Sequence, residues 1–103
     1  MIEVKQNSDG ISIKGHAHYA EPGKDIVCAG VSTLAQTLLW SIASLTDDVV
    51  NSVATKGNLE IKYRNLSDKG KLLVDSFFIG VQMIANEYPK YVTVTNCHGL
   101  TEH

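Results

Sequence analysis

Residues 11–45, ISIKGHAHYAEPGKDIVCAGVSTLAQTLLWSIASL, contain the change of period that decides the fold. The first part alternates apolar and polar side chains, as half-buried β-strands do, and we predict a strand near 11–18. A Pro22-Gly23 turn follows, and we predict a helix that Asp25 caps and that ends near Leu45. The helix is indicated by apolar side chains that recur every three or four residues, namely Val27, Val31, Leu34, Leu38, Ile42 and Leu45.

Alternating segments and turn clusters divide the rest of the chain. Residues 2–6 alternate and end in a turn cluster at 7–10, so we predict a β-hairpin with the strand near 11–18. Residues 49–56 fit either an extra strand or a last helical turn. We predict two further strands, at 58–64 and at 91–95. Between them we predict a helix that runs from a Ser67 cap to about Glu87, and its apolar face comprises Leu73, Phe77, Val81, Ile84 and Tyr88.

This order, β-β-α-β-α-β with or without an extra strand, predicts an α+β fold in two layers. We expect one mixed β-sheet with both helices on one face, which leaves the other face open in a monomer. An apolar patch on that open face would favour dimerisation. At 103 residues the chain is long enough for one core but not for two, so we expect a single domain over 1–103.

Composition restricts the class of protein. Hydrophobic residues make up 44% and charged residues 19% of the chain, as in globular proteins. Nine basic and eleven acidic side chains give a net charge of −2, which argues against a nucleic-acid-binding protein but would tolerate a basic peptide partner.

Several features favour a cytoplasmic location. The chain opens on a strand-like alternation rather than an export signal, and we expect no apolar run that approaches the roughly 20 residues that span a bilayer. The two cysteines, Cys28 and Cys97, do not form a disulfide framework, so we expect free thiols in a reducing compartment.

Cys28 falls in the first turn of the predicted long helix, on one face with Asp25 and Ser32. The free amides and the dipole at a helix N-terminus favour a thiolate there, and the same amides can donate to an oxyanion. Asp25 would repel a thiolate; it fits better as the cap, or as the partner of a histidine's second nitrogen. The alternatives are that Cys28 is a small core residue and that Ser32 bonds back to a helix carbonyl.

His16 lies at the end of the predicted second strand, and the loop that follows could return the thiol to it. His18 shares the predicted strand face with His16, so spacing does not decide between the two imidazoles, and His18 also fits a plain surface position. Cys97-His98 resembles a metal-binding pair, but adjacent strand residues point to opposite faces, and we expect no metal site and no cofactor. Phe77-Phe78 and the region of Trp40 fit a core or a dimer surface.

Gly15-His16-Ala17-His18-Tyr19-Ala20 followed by Asp25-Ile26-Val27-Cys28-Ala29-Gly30-Val31-Ser32 resembles the ribosomal-processing cysteine protease family, Prp. The family pattern is approximately Gly-His-Ala-x-Tyr-Ala, a short glycine-containing loop, and Asp-Ile-Val-Cys-Ala-Ala-Val-Ser. Gly30 departs from the second alanine, and we expect it to widen the space beside the thiol. Length and element order extend the resemblance over essentially the whole domain.

The resemblance implies a cytoplasmic bacterial protease that removes the N-terminal extension of large-subunit ribosomal protein twenty-seven. By the same motif, Cys28 would be the nucleophile and His16 the general base, with Asp25 and Ser32 in support. Family members form homodimers and have a loop that orders on substrate binding; here it would comprise Ala17, His18, Tyr19, Ala20, Glu21, Pro22, Gly23 and Lys24. The competing hypotheses are a non-catalytic ribosome-associated binding module and, less favoured, a metal-binding or redox-sensing domain.

Overall fold

The computed structural model describes residues 1–21 and 25–95. The predicted α+β fold is confirmed, and residues 49–56 supply the extra strand. The elements, in chain order, are β1 (Ile2–Asn7), β2 (Gly10–Lys14), α1 (Ile26–Leu45), β3 (Val50–Thr55), β4 (Asn58–Tyr63), α2 (Asp68–Glu87) and β5 (Val92–Thr95).

The five strands form one mixed sheet in the order β3-β4-β2-β1-β5. Strand β1 is antiparallel to β2 and parallel to β5, and β2 and β3 are both antiparallel to β4. Because strand side chains alternate, one face collects the apolar residues; in the central strands Val4 opposes Ile13, and Ile11 opposes Ile61. The two helices cover this face and pack against each other.

Both helix starts agree with the sequence prediction. The Asp25 carboxylate accepts hydrogen bonds at the start of α1, and the Ser67 hydroxyl accepts one from the Gly70 amide at the start of α2. The buried stripe of α1 differs slightly from the predicted one, because Leu34 packs sideways against α2 and Leu45 is 61% exposed. Ala35, which is not part of the predicted stripe, is buried instead.

The second strand is shorter than predicted. It ends at Lys14 rather than near residue 18, because Gly15 (φ 95°) and His18 (φ 57°) take left-handed backbone conformations that a strand ladder does not accommodate. The Gly15 amide still donates to the carbonyl of Gly57 at 2.7 Å, which joins the departing chain to the β3–β4 turn. His16 and His18 therefore do not share a strand face.

Helix α1 differs from the expectation that no apolar run approaches the length of a membrane span. Its 20 residues are long and apolar enough to cross a membrane by length and composition alone. The core helix of a soluble protein passes the same test, and the buried stripe of α1 packs on the sheet. We therefore explain its apolar character by the core.

The outward face of the sheet is polar rather than apolar. Glu3, Lys5 and Lys14 are exposed on it, and on the outer strands it carries threonines. The exposed apolar side chains lie mainly on the helices, where Trp40 is 74% exposed; the others on the two helices are Ile26, Leu45, Leu72, Ile79 and Met83. Phe77 and Phe78 are buried, as the core alternative required.

Candidate active site

Cys28 is the third residue of α1 and is half-buried. Its own amide and that of Val27 each donate to Oδ1 of Asp25 at 3.0 Å, so the carboxylate caps the helix directly beneath the thiol. A sulfur in this position lies at the positive end of the helix dipole.

Asp25 also holds the loop that precedes the helix. Its second oxygen, Oδ2, accepts a hydrogen bond from the amide of Tyr19 at 3.0 Å. Burial raises the pKa of the Asp25 carboxyl, but the hydrogen bonds from Cys28 and Tyr19 outweigh it and hold the pKa below its ordinary value. Among residues 1–21 and 25–95, no hydrogen bond joins Asp25 to the His16 imidazole, so the geometry places Asp25 as a cap rather than as the partner of a histidine.

The sulfur receives a hydrogen bond that the sequence analysis missed. The amide of Ala17 donates to Sγ of Cys28 at 3.3 Å, and Ala17 is 3% exposed. A backbone donor has no signature in a sequence, because every residue except proline carries one. The loop therefore supplies a donor to the sulfur, while the amides of Val27 and Cys28 at the helix N-terminus donate to Asp25.

His16 and Cys28 line the same cleft, which has a volume of about 280 Å³. The cleft lies between α1 and the sheet, and both apolar and polar side chains line it. His18 is outside this lining; it is exposed, and its ring contacts that of His16 with centroids 5.9 Å apart. The lining residues are Ile2, Ile13, Gly15, His16, Cys28, Val31, Ser32, Ala35, Gly57, Asn58 and Leu59.

The imidazole of His16 rests against the β3–β4 turn. A Cβ atom placed on Gly57 would lie 3.1 Å from Nε2 of His16, so the ring occupies the space that a side chain would need. The backbone of His16 is held from the other side, where the nitrogen of Met1 donates to its carbonyl oxygen at 2.7 Å. The roles of Gly57 and Asn58 in the cleft have no signature in the sequence, because the contact joins residues about forty positions apart.

Ser32 lies one turn beyond Cys28 and also lines the cleft. Its hydroxyl oxygen accepts a hydrogen bond from the Gln36 side-chain amide at 3.4 Å. The structure therefore brings Cys28, His16 and Ser32 to one cleft. Asp25 does not line the cleft but caps the helix that carries Cys28 and Ser32.

Gly30 does not widen the space beside the thiol, contrary to expectation. A Cβ atom at Gly30 would lie 3.2 Å from Cδ1 of Ile84, so this glycine faces α2 and not the cleft. The reason is the helical period, which turns residue 30 well away from residue 28.

Two groups of predicted residues lie outside the described ones. Pro22, Gly23 and Lys24 belong to the predicted substrate loop, and Cys97-His98 is the pair considered for a metal. Within the part of the chain that is described, no group of three or more His, Cys, Asp or Glu side chains could hold a metal ion.

Comparisons with known proteins point to one family. The family model of cysteine protease Prp matches residues 1–93. The ribosomal processing cysteine protease Prp of Mycoplasma genitalium is 30% identical over 96 residues, which cover 91% of this chain and 94% of the relative. The protein of the same name from Staphylococcus aureus is 28% identical over 94 residues, covering 84% of this chain and 89% of the relative.

Solved structures share the fold. The essential ribosomal processing protease Prp from S. aureus, in complex with a covalently linked product peptide, superposes with a TM-score of 0.83 at 24% identity, covering 92% of this chain and 96% of that one. SMU.848 from Streptococcus mutans gives a TM-score of 0.70 at 27% identity and covers 92% of this chain and 90% of that one. Since the family model spans nearly the whole chain, this protein belongs to the cysteine protease Prp family.

Proposed function

We propose that this protein is a cysteine endopeptidase that removes the N-terminal extension of large-subunit ribosomal protein twenty-seven. One observation carries the proposal: Cys28, at the start of α1 and in contact with the Ala17 amide, lines a single cleft with His16. The relatives named above are ribosomal processing proteases, and a bound peptide is part of the S. aureus structures.

The chemistry is acyl transfer through a thioester. The His16 imidazole takes the proton of Cys28, and the sulfur attacks the carbonyl carbon of the scissile peptide bond. The Ser32 hydroxyl stabilises the oxyanion, since the Val27 and Cys28 amides at the start of α1 already donate to Asp25. The imidazolium then protonates the leaving amine, the C–N bond breaks, and water that His16 deprotonates hydrolyses the thioester to release the new carboxylate.

The cleft suits a peptide that inserts an apolar side chain. Its lining combines the apolar side chains of Ile2, Ile13, Val31 and Leu59 with the polar side chains of His16, Ser32 and Asn58. Burying an apolar substrate side chain against the apolar residues would gain about 25 cal/mol per Å² of apolar surface. The polar residues would then hold the backbone of the substrate next to Cys28.

We test the proposal with a peptide that spans the extension junction. We expect Cys28→Ala and Cys28→Ser to abolish cleavage, whereas Cys97→Ala, the matched change at the other cysteine, should cleave like the wild type. We expect His16→Ala to be inactive and His18→Ala to be active. Undiminished cleavage by a folded Cys28→Ala variant would reject the proposal.

The same experiment separates the protease from a non-catalytic binding module. A module would leave Cys28 as an unreactive core thiol, and iodoacetamide would then alkylate it no faster than unfolding exposes it. The protease hypothesis expects rapid alkylation of the folded protein near neutral pH.

We further propose that the protein acts in the cytoplasm as a homodimer. The location follows from its proposed ribosomal substrate. The exposed apolar side chains of the helices, with Trp40 the most exposed of them, offer a surface for the second copy.

A further inference from the structure

The loop before α1 contacts the sulfur of Cys28 through its backbone. The Ala17 amide donates to Sγ at 3.3 Å, and the Ala17 side chain is buried in the core cluster. Hydrogen bonds to a charged acceptor are stronger than those to a neutral one, so this bond stabilises the thiolate more than the thiol. Its strength depends on whether the loop stays where it is.

Two residues farther on, Tyr19 fixes the loop to a different part of the molecule. Its ring makes edge-to-face contacts with Tyr88, with centroids 5.3 Å apart, and with Tyr91, with centroids 5.2 Å apart. Edge-to-face pairs at this separation are attractive beyond the area that they bury. We call these three residues the tyrosine clamp.

The base of the clamp is well anchored. Tyr88 is the C-cap of α2, and its carbonyl accepts hydrogen bonds from the amides of Tyr91 at 2.9 Å and Val92 at 3.2 Å. The carbonyl of Tyr91 in turn accepts from the amide of Ile2 at 2.8 Å. The two receiving rings therefore sit on backbone that is tied to both α2 and the sheet.

Between the clamp and the sulfur lies a conformation that needs support. His18 has a φ of 57°, in the left-handed region that residues other than glycine rarely adopt. With the Tyr19 ring released, the backbone of residues 18–20 is still held at Asp25, which accepts hydrogen bonds from the amides of Tyr19 and Ala20. A single carboxylate would then support the left-handed conformation, and the loop could leave it and withdraw Ala17 from the sulfur.

We propose that Tyr19 is a positioning residue, whose ring in the tyrosine clamp keeps the Ala17 amide on the sulfur of Cys28. A contact outside the cleft thereby controls the ionisation of the thiol inside it. The catalytic meaning of this inference rests on the proposed function, but its geometric claim concerns Cys28 alone.

The groups that face Cys28 limit what else could alter its ionisation. His16 approaches from the loop and Asp25 from the helix cap. The strands contribute Ile2, Ile13, Asn58 and Leu59 to the cleft, and none of these side chains titrates. A change at Tyr19 removes no charge from this set, so its effect on the thiol would come through the loop.

The test measures alkylation of Cys28 by iodoacetamide as a function of pH, in a Cys97→Ser background that leaves one thiol. We compare Tyr19→Ala, which loses the ring, with Tyr19→Phe, which keeps it. We expect the midpoint of the Tyr19→Ala profile to lie higher by about half a pH unit or more, a threefold loss of thiolate at a pH below both midpoints. The Tyr19→Phe profile should overlay the parent. The plateau rate at high pH separates a change of access from a change of ionisation.

A second variant and a second measurement guard against a purely structural effect. Tyr91→Leu weakens the clamp from outside the loop and should move the midpoint in the same direction. Hydrogen exchange of the Ala17 amide should quicken in both variants. Overlapping alkylation profiles, with only the melting temperature lowered, would overturn the inference. Because alkylation needs no peptide substrate, it gives an answer even where the proposed protease activity fails its own test.

Discussion

The surroundings of the Cys28 sulfur distinguish this residue from a cysteine that merely fills a core. A core thiol contacts aliphatic side chains, which disfavour its ionisation. The Cys28 sulfur instead receives the Ala17 amide, sits in the first turn of α1 and borders a cleft that His16 also lines. The sulfur therefore has a polar contact that a core thiol lacks, and the cleft leaves it open to a substrate.

The Asp25 carboxylate has two structural roles, since Oδ1 caps α1 and Oδ2 accepts a hydrogen bond from the Tyr19 amide. We expect Asp25→Ala to lower the free energy of unfolding by about 1 kcal/mol, the usual loss for a helix cap, and also to slow peptide cleavage because the loop loses an anchor. Ser67→Ala is the matched control, because it removes the cap of α2 far along the chain from the cleft. It should cost similar stability in urea unfolding and leave cleavage unchanged. Equal loss of cleavage in both variants would contradict this role of Asp25.

Comparing the wild type with Asp25→Ala also predicts how the contribution of Asp25 to stability depends on pH. The folded state holds the pKa of Asp25 below its unfolded value of about 3.9, so its stabilising effect is complete above that pH and is lost as the pH falls through the lower folded value. We expect the stability difference between wild type and Asp25→Ala to persist near neutral pH and to shrink below about pH 4. A difference that grows in acid would show that the carboxylate is not held by these hydrogen bonds.

At the scale of single residues, the sequence predicted what depends on side-chain type. A carboxylate before a helix and a thiol in its first turn are visible as Asp25 and Cys28, and both lie where expected. The Ala17 amide was missed because backbone donors have no residue type, and Gly30 was misjudged because its neighbour Ile84 comes from another helix.

Among the elements, the β3–β4 turn matters most for the site, because it supports the ring of His16. Gly57 has a φ of 77°, and a Cβ atom there would come within 3.1 Å of Nε2. We expect Gly57→Ala to cost about 1 kcal/mol of stability from backbone strain and also to displace the imidazole, lowering kcat for peptide cleavage more than it changes KM.

Lys56→Ala, in the same turn and exposed, is the control for the Gly57 prediction. It should leave both stability and cleavage near wild-type values. A Gly57→Ala protein that loses stability but keeps its kcat would mean that the turn supports the fold without supporting His16.

The elements also show where periodicity is sufficient and where it is not. The two helices were predicted closely because their long apolar stripes and their caps agree. Strand β3 was ambiguous because it lies at the edge of the sheet with most of its side chains exposed, so burial imposes no alternation on it. The end of β2 was missed because Gly15 departs from the sheet through a left-handed conformation while the apolar alternation continues past it.

At the scale of the whole molecule, most exposed apolar side chains of the described residues lie on the helical layer, and few lie on the open face of the sheet. Charged strand residues on that open face are exposed to solvent. The sequence predicted two layers and offered the region of Trp40 as a core or a dimer surface. Periodicity alone did not reveal that α1 and α2 each carry further apolar residues outside their buried stripes.

A dimer formed through the helical layer should be sensitive to Trp40, which is 74% exposed. We expect Trp40→Glu to shift the protein toward monomer in sedimentation velocity, because a buried charge opposes association. The matched change on the open face of the sheet, Val53→Glu, is at a residue that is 60% exposed and should leave the sedimentation coefficient unchanged. Dissociation by Val53→Glu alone would place the interface on the sheet.

The central claim is that Cys28 is the nucleophile and that His16 activates it. The most direct measurement treats the protein with a peptide chloromethyl ketone that ends at the cleavage point and locates the adduct by peptide mass spectrometry. We predict one adduct, on Cys28, that forms in step with loss of cleavage and forms much more slowly in His16→Ala but not in His18→Ala. Full loss of cleavage with Cys28 unmodified would contradict the account.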